Sequence, residues 1–169
     1  MSQIIVQHEA QNIRGFCGML PATFNDLTPA QLVYLPQATG TGSHILWNAG
    51  HIIWSISEDV VVTIGLPSIL PSHYTDLFAP GTQPLANPEA YPSATELSEM
   101  AVSTAERVAA FLLTLEDESL TTPIPEENPL SAIYPNWLEL IASTGFHIGY
   151  HIGQIGLLRK LQGLSPALR

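Results

Sequence analysis

The sequence predicts an all-α protein folded as a four-helix bundle. Four long segments carry apolar side chains at helical spacing, and no segment shows the strict polar–apolar alternation of a β-strand. The connection between the second and third segments is rich in proline and long enough to cross the bundle, so these two helices can run parallel. A chain of 169 residues fits one domain, which we place at residues 1–169.

The first helix is predicted at residues 3–20, where apolar side chains recur among polar ones until Pro21. The segment Asp26-Leu27-Thr28-Pro29 then opens a short turn or helix that ends near Pro36. Both boundaries rest on proline, which fixes its own backbone and lacks the N–H that a helix interior needs.

The second helix is predicted from its N-cap, Ser43, to about Ile64. Gly40-Thr41-Gly42 breaks the chain before it, and Gly65 follows its end. Residues 66–92 hold six prolines and are predicted to form a crossover without regular helix. These prolines are Pro67, Pro71, Pro80, Pro84, Pro88 and Pro92.

The third helix is predicted to start at a capping box formed by Ser93 and Glu96 and to run through Leu115. Its helical spacing predicts one buried face. The residues of this face are Leu97, Met100, Ala101, Thr104, Val108 and Phe111 or Leu112.

The fourth helix is predicted from about Asn136 to Leu161 and ends at Gly163. Arg159 and Lys160 lie in its last turn, where they are predicted to complement the helix dipole. Four glycines spaced four, four and three apart predict a smooth stripe that another helix can approach closely. They are Gly145, Gly149, Gly153 and Gly156.

Composition excludes several classes of protein. Fifteen Asp and Glu against five Lys and Arg give a net charge of −10, which argues against nucleic-acid binding. Cys17 is the one cysteine, so an internal disulfide and a zinc site of paired thiolates are excluded. The N-terminus lacks the pattern of a secretory signal, and Pro, Gly or His interrupts each uncharged segment. We therefore expect a cytoplasmic protein without membrane partners.

The pair His147 and His151 is the most informative feature of the sequence. The i, i+4 spacing puts both imidazoles on one helical face, close enough to meet one ion. Metalloproteases with this spacing have a Glu directly after the first histidine, but here that residue is Ile148. Apolar neighbours predict burial, which favours the neutral imidazole that binds metal. A pair of hydrogen-bonded core histidines is the alternative.

A third ligand is expected from the second helix. His44, His51 and Glu58 lie seven residues apart on one stripe, so one ion reaches only one of them. His51 lies mid-helix between Trp47 and Trp54, where a buried ligand belongs, whereas His44 is expected in a frayed, solvated first turn. Three imidazoles leave coordination positions open, as catalytic sites do.

These residues carry a resemblance to a known family. The segment Trp47-Asn48-Ala49-Gly50-His51-Ile52-Ile53-Trp54 resembles the W-x-x-G-H-hydrophobic-x-W helix of the DinB-like, YfiT-type superfamily of four-helix bundles. The histidine pair followed by Gly153-Gln154-Ile155 resembles the closing helix of that superfamily, which typically contains H-x-x-x-H-x-G-Q-I. The resemblance covers nearly the whole chain.

The resemblance implies an up-down-down-up bundle and a divalent ion held by His51, His147 and His151. It also implies a homodimer, since members are often dimeric. Some members resemble S-transferases or isomerases that use a low-molecular-weight thiol, so such a thiol is a candidate cofactor here. The stripe position of Glu58 and the family position of Gln154 make these two residues the candidates for a catalytic role. A solvated Glu58 and a Gln154 that only satisfies backbone or Tyr150 are the alternatives.

Three functions remain open on the sequence alone. The first is a divalent-metal-dependent enzyme of thiol-dependent S-transferase or hydrolase type that acts on a small molecule. Imidazole ligands suit zinc, nickel, iron and copper alike, and of these we expect zinc or nickel first and iron next. The second is a non-catalytic, metal-stabilised or ligand-binding dimeric bundle, and the third is a dimerising scaffold with an empty site. A contribution of His8 or His44 to the site is also open.

Overall fold

The computed structural model describes residues 2–36 and 42–168, and in these two ranges the chain is helical without any β-strand. The α-helices of these ranges are α1 (Ser2–Met19), α2 (Pro29–Leu32), α3 (Ile45–Ser55), α4 (His73–Phe78), α5 (Ala94–Leu112), α6 (Asp117–Leu120) and α7 (Trp137–Leu161). A π-helix (Ile56–Val62) continues α3, and shorter 3-10 helices cover Leu20–Thr23, Pro88–Ala90 and Pro129–Ala132. The predicted all-α class is therefore confirmed.

Local sequence signals place most helix ends correctly. The capping box of Ser93 and Glu96 is present at the start of α5, and the side chain of Asn136 caps α7. Gly163 follows α7 with a positive φ of 71°, a conformation that favours glycine. The chain passes Pro21 without leaving helical geometry, because proline fits the first turn of the 3-10 helix that follows α1.

The start of the second long helix differs from the prediction. The N-cap is His44 rather than Ser43, since the His44 Nδ1 atom accepts the backbone N–H of Trp47 at 3.0 Å. The prediction of a frayed, solvated His44 is also wrong, because its side chain is fully buried. Gly40 and Thr41 of the predicted break lie outside the described residues.

The proline-rich crossover is more ordered than predicted. Helix α4 forms between Pro71 and Pro80, where eight residues without proline leave room for a six-residue helix of more than one and a half turns. Tyr74 and Phe78 on this helix are buried and join the core. The crossover therefore packs a helix against α3, with direct consequences for the candidate site.

Cross-helix hydrogen bonds fix the relative directions of the long helices around α1. Gln3 at the start of α1 bonds the backbone oxygen of Leu115 beyond the end of α5, so these helices run in opposite directions. Helix α7 runs in the same direction as α1, because Glu9 accepts the N–H of Gly145 while Arg159 at the far end bonds the Thr23 oxygen.

Helix α3 is the centre of the core. Every residue of Ile45–Ser55 is buried, so the helix contacts neighbours on all sides. Burial of one isoleucine contributes about 1.5–3 kcal/mol, and Ile45, Ile52 and Ile53 are each fully buried. A helix that is apolar all round cannot act as a surface element, which explains the near absence of charge in this part of the sequence.

Arg159 lies in the last turn of α7, as predicted, and has a further role that the sequence did not reveal. It is 3% exposed, and its guanidinium donates to both carboxylate oxygens of Asp26, at 2.7 and 2.8 Å. It also donates to the backbone oxygens of Thr23 and Ser165, so it joins three segments of chain. The Arg159 side chain holds the pKa of Asp26 below its usual range.

The glycine stripe of α7 matches the prediction at one position. A Cβ at Gly145 would lie 2.7 Å from a carboxylate oxygen of Glu9, so α1 approaches closely there. A Cβ at Gly149, Gly153 or Gly156 would meet nothing within 4 Å. In the described ranges, no helix is both long and apolar enough for a bilayer crossing.

Candidate metal centre

Three histidines from two helices converge where α3 contacts α7. The ring centroid of His51 lies 5.3 Å from that of His147 and 4.7 Å from that of His151. One ring nitrogen of each histidine lies within 4.8 Å of those of the other two. Two Zn–N bonds of about 2.1 Å span roughly 4 Å, so these separations are near those that one ion requires. The structure thus brings together all three residues that were predicted as ligands.

The crossover fixes the orientation of His51. Its Nδ1 atom lies 2.7 Å from the backbone oxygen of Phe78, the last residue of α4. A carbonyl oxygen only accepts hydrogen bonds, so Nδ1 carries the proton and Nε2 keeps its lone pair. The indole rings of Trp47 and Trp54 lie nearly parallel to the imidazole, at centroid distances of 4.6 and 5.8 Å. His51 is therefore held as a neutral ligand of defined tautomer.

The same crossover anchors the two tryptophans. The indole N–H of Trp47 donates to Thr82 at 2.8 Å, and that of Trp54 donates to Thr75 at 3.2 Å. Gly50 allows the close approach of this segment, because a Cβ at position 50 would lie only 2.1 Å from the nearest ring atom of Phe78. This explains the residue types of the Trp-x-x-Gly-His-x-x-Trp pattern in physical terms.

Asn48 fixes the orientation of His151. The Asn48 amide nitrogen donates to the Ser43 hydroxyl at 2.8 Å and to the backbone oxygen of His44 at 3.0 Å. Its side-chain oxygen therefore faces the Nδ1 atom of His151, at 2.8 Å, and accepts the proton there. His151 is consequently held with its Nε2 lone pair free, as His51 is. Such outer contacts set ligand tautomer and basicity in metal sites.

His147 provides the test of whether the residues fit a metal. Its Nε2 atom is buried and has no hydrogen-bond partner in the described part of the chain. A buried polar atom without a partner costs about 1–3 kcal/mol, so native structures rarely leave one. A cation that accepts the lone pair of this nitrogen removes the deficit. The donor set of three imidazoles with two oriented Nε2 atoms therefore fits a divalent ion.

Burial keeps the three imidazoles neutral. Desolvation lowers the pKa of His51 to about 4 and that of His147 below its usual range. The pKa of His151 falls to about 3, because of burial first and of repulsion from the other two rings second. At neutral pH each ring therefore has the deprotonated nitrogen that metal binding requires.

The remaining histidines lie outside this cluster. His8 and His73 are exposed on α1 and α4. His44 is buried and structural: its Nδ1 caps α3, and its Nε2 donates to the backbone oxygen of Leu85 at 3.1 Å. Protonation of Nδ1 would destroy the cap, and burial lowers the pKa of His44 to about 4.

His44 gives a pH-dependence prediction. Its pKa is about 6.5 in the unfolded chain and about 4 in the folded one, so its contribution to stability is complete above pH 6.5 and is lost as the pH falls towards 4. The expected loss is about 1.4 kcal/mol per pH unit in this window. His44→Asn keeps an N-cap acceptor but removes the titration, so urea unfolding between these pH values should show a shallower loss than in the wild type. Parallel pH profiles of the two proteins would contradict the assignment.

Two cavities reach the histidine cluster. One, the His147 cavity, has a volume of about 190 Å³ and lies beside His147. The other, the His151 cavity, has about 330 Å³ and is lined by His151, Trp47, Tyr150 and Gln154 among others. The side-chain oxygen of Gln154 is buried and makes no hydrogen bond of normal geometry in the described residues, but Gln154 interacts with His151 and partly offsets the lowering of its pKa.

The structure does not bring Glu58 to the cluster. Its carboxylate accepts the hydroxyls of Ser57 and Ser68. Asp59 lines the His147 cavity instead, and sequence reasoning missed it. Burial, and secondarily the charge of Glu58, raise the pKa of Asp59 to about 7.

The π-helix explains why Asp59, rather than Glu58, lines the His147 cavity. Residues 51 and 58 share a face of a regular α-helix, but a π-turn contains an additional residue and shifts the following side chains by one position. Ser55 and Asp59, which follow His51 at intervals of four residues, therefore both line the His147 cavity. The available sequence signal is the β-branched run at 60–64, which disfavours a regular α-helix.

Comparison with known proteins agrees with the residue pattern. The family model of the DinB superfamily matches residues 18–155, which include His51, His147 and His151. No curated protein and no solved structure gave a significant match. Since the family match spans most of the chain, the protein belongs to the DinB superfamily.

Proposed function

We propose that this DinB-superfamily protein binds a divalent metal ion through His51, His147 and His151 and uses it in the chemistry of a small molecule. The observation that carries the proposal is the unpartnered, buried Nε2 of His147, which lies beside two histidines whose tautomers are already fixed for binding. Imidazole ligands suit zinc, nickel and iron, and we propose zinc or nickel as the ion.

An open coordination sphere favours an enzyme over a purely structural site. Among the residues that the structure describes, no further His, Cys, Asp or Glu joins the three histidines. Structural zinc sites have four protein ligands, whereas catalytic sites keep a position free. The His147 cavity is lined by one of the proposed metal ligands and the His151 cavity by another, so a small molecule can approach the ion through either cavity. When bound, the ion supplies Lewis acidity that makes water or a thiol a better nucleophile near neutral pH.

The roles of the protein residues follow from their contacts. The backbone oxygen of Phe78 and the side-chain oxygen of Asn48 hold protons on the outer nitrogens of two ligands and so keep both rings oriented. Trp47 and Trp54 cover His51 and exclude water from it. Gln154 offers an acceptor for a substrate N–H or O–H in the His151 cavity.

A thiol-dependent transferase or a hydrolase is the proposed reaction type. Cys17 cannot supply the nucleophile, because it is fully buried and burial raises its pKa to about 12. A thiol nucleophile must therefore enter from solution as a low-molecular-weight thiol, and in a hydrolase the nucleophile is water. The resemblance to superfamily members that look like thiol-dependent S-transferases supports the thiol, and the small size of both cavities supports a small-molecule substrate.

We further propose a cytoplasmic homodimer of a single-domain up-down-down-up bundle. The opposed directions of α1 and α5 and the common direction of α1 and α7 support the topology. The exposed side of α7 supports the dimer, because large apolar side chains alternate there with glycine. Those side chains are Phe146, Tyr150, Leu157 and Leu161.

Metal binding by the wild-type protein tests the proposal. Protein purified without a histidine tag should contain about one divalent ion per chain, and light scattering of the same sample gives its oligomeric state. After chelation, Zn²⁺ at 100 times its Kd should raise the free energy of unfolding by about 2.7 kcal/mol and the Tm by roughly 5–10 °C. Addition of a thiol such as cysteine to the Co²⁺-substituted protein should then change its visible spectrum. A spectrum insensitive to thiols and to substrates would favour the non-catalytic bundle, and absence of metal would favour the empty scaffold.

A further inference from the structure

The His147 cavity is rich in hydrogen-bond acceptors. The Ser55 hydroxyl donates to the Ile52 backbone oxygen at 3.0 Å, whereas the hydroxyls of Ser143 and Thr144 both donate to Leu140, at 2.8 and 3.2 Å. A hydroxyl has one hydrogen, so all three oxygens can offer only lone pairs to a molecule in the cavity. These walls therefore favour a ligand that donates hydrogen bonds.

The charged residues of the cavity also favour a ligand that donates hydrogen bonds. Asp59 is the acidic residue of the lining, and neither Lys nor Arg is found among the described residues that line the cavity. The Tyr134 hydroxyl and one ring N–H of the neutral His147 are the donors of the lining, so its acceptors outnumber its donors. In the metal-free protein, an anion in this cavity would face the charge of Asp59 without a compensating Lys or Arg, which is unfavourable.

The rest of the lining is apolar. Val60, Leu130, Ile133 and Leu140 supply hydrocarbon surface. The volume of about 190 Å³ exceeds the roughly 150 Å³ that accommodates benzene in an apolar protein cavity. A molecule with one ring or a short chain and one polar group therefore fills the space.

We propose that the His147 cavity binds a small organic ammonium ion, with its N–H groups on Asp59 and the neighbouring hydroxyl oxygens and its apolar body against the hydrocarbon walls. This inference deepens the proposed function and rests on it, since it names the chemical class of the small molecule that reaches the metal centre from this side. Burial makes the ionised form of Asp59 costly in the empty cavity, and a cation offsets that cost.

Three aromatic probes of similar size and different charge test the proposal. Benzylamine, benzyl alcohol and benzoate are titrated by calorimetry or NMR into chelator-treated protein at about pH 8, where Asp59 is ionised and alkylamines are protonated. A charged hydrogen bond contributes about 1.5–3 kcal/mol, so benzylamine should bind about 10- to 100-fold more tightly than benzyl alcohol. Benzoate should not bind.

The adjacent acids provide a matched pair of variants. Asp59→Asn should abolish the preference for the amine over the alcohol, whereas Glu58→Gln removes the same charge one residue away and should leave the preference unchanged within about threefold. An equal loss in both variants would show that only the general negative charge attracts the amine, and would overturn the proposal. Equal affinities of the wild type for amine and alcohol would overturn it as well.

NMR mapping of the amine site and repetition of the titrations with Zn²⁺ complete the test. If Asp59→Asn does not fold, the binding site is mapped on the wild type by amide chemical-shift changes on addition of benzylamine. These changes should be confined to Asp59, Ser143, Thr144 and their neighbours. Changes confined to the residues of the His151 cavity would overturn the proposal. Repetition with Zn²⁺-loaded protein separates the two proposals. Amine binding without metal binding refutes only the proposed function, and metal binding without amine preference refutes only this inference.

Discussion

His147→Ala is expected to weaken Zn²⁺ binding by at least about 100-fold. Loss of a residue that merely orients a ligand already costs roughly 10- to 100-fold in metal affinity, and His147 is a proposed ligand itself. The Nε2 atom of His147 has no other partner in the described chain, so no protein interaction replaces the lost bond. Competition with a chromogenic chelator measures the affinity.

An exposed histidine provides the control for this substitution. His8 lies on the solvent side of α1, so His8→Ala removes an imidazole without touching the cluster. Its Zn²⁺ affinity should stay within about twofold of the wild type. Thermal unfolding of the metal-free proteins should also show that His147→Ala is folded. Equal Zn²⁺ affinities of the two variants would refute the assignment of His147 as a ligand.

Gly50→Ala is expected to reduce both stability and metal affinity. The new Cβ would lie 2.1–2.4 Å from three ring atoms of Phe78, which is fully buried, so the ring must move. Overpacking of this kind costs about 1–3 kcal/mol and occasionally more, which exceeds the gain of up to about 1 kcal/mol from helix propensity. We expect a net loss of about 2 kcal/mol, which lowers the Tm by roughly 4–8 °C.

The effect of Gly50→Ala on the metal follows from the same contact. The backbone oxygen of Phe78 accepts the hydrogen bond from Nδ1 of His51. A shift of Phe78 therefore disturbs the orientation of His51, although His51 itself is unchanged in this variant. Zn²⁺ affinity should fall by about 10- to 100-fold. Gly15→Ala on α1 is the control: a Cβ there meets nothing within 4 Å, so this variant should gain up to about 1 kcal/mol and bind Zn²⁺ normally. A Gly50→Ala protein as stable as Gly15→Ala would contradict the explanation.

The sequence predicts the features that depend on local patterns. The capping box of Ser93 and Glu96 acts within one turn, so the start of α5 is visible without the fold. The pairing of His147 with His151 follows from helical periodicity alone. The family resemblance is confirmed by the superfamily match, and the predicted choice of His51 over His44 agrees with the cluster that the structure contains.

The features that the sequence did not reveal depend on contacts between distant segments. His44 caps α3 because its other nitrogen is held by Leu85, forty-one residues further along the chain, and no local rule ranks it above Ser43. Helix α4 forms because Tyr74 and Phe78 bury their rings in the core, although prolines flank it on both sides. The part of the crossover that orients His51 is therefore a product of tertiary packing.

The π-helix at Ile56–Val62 has a consequence for comparisons among relatives. A π-turn is equivalent to one residue inserted into an α-helix, so a relative with a regular helix here has one residue fewer between its ligand and its acid. An alignment without a gap would then pair the acid of that relative with Glu58. Glu58 would be identified as the acid that lines the cavity, although Asp59 lines it in this protein. Transfer of function to or from this chain requires a gap inside a continuous helix, at a position where alignment methods usually avoid one.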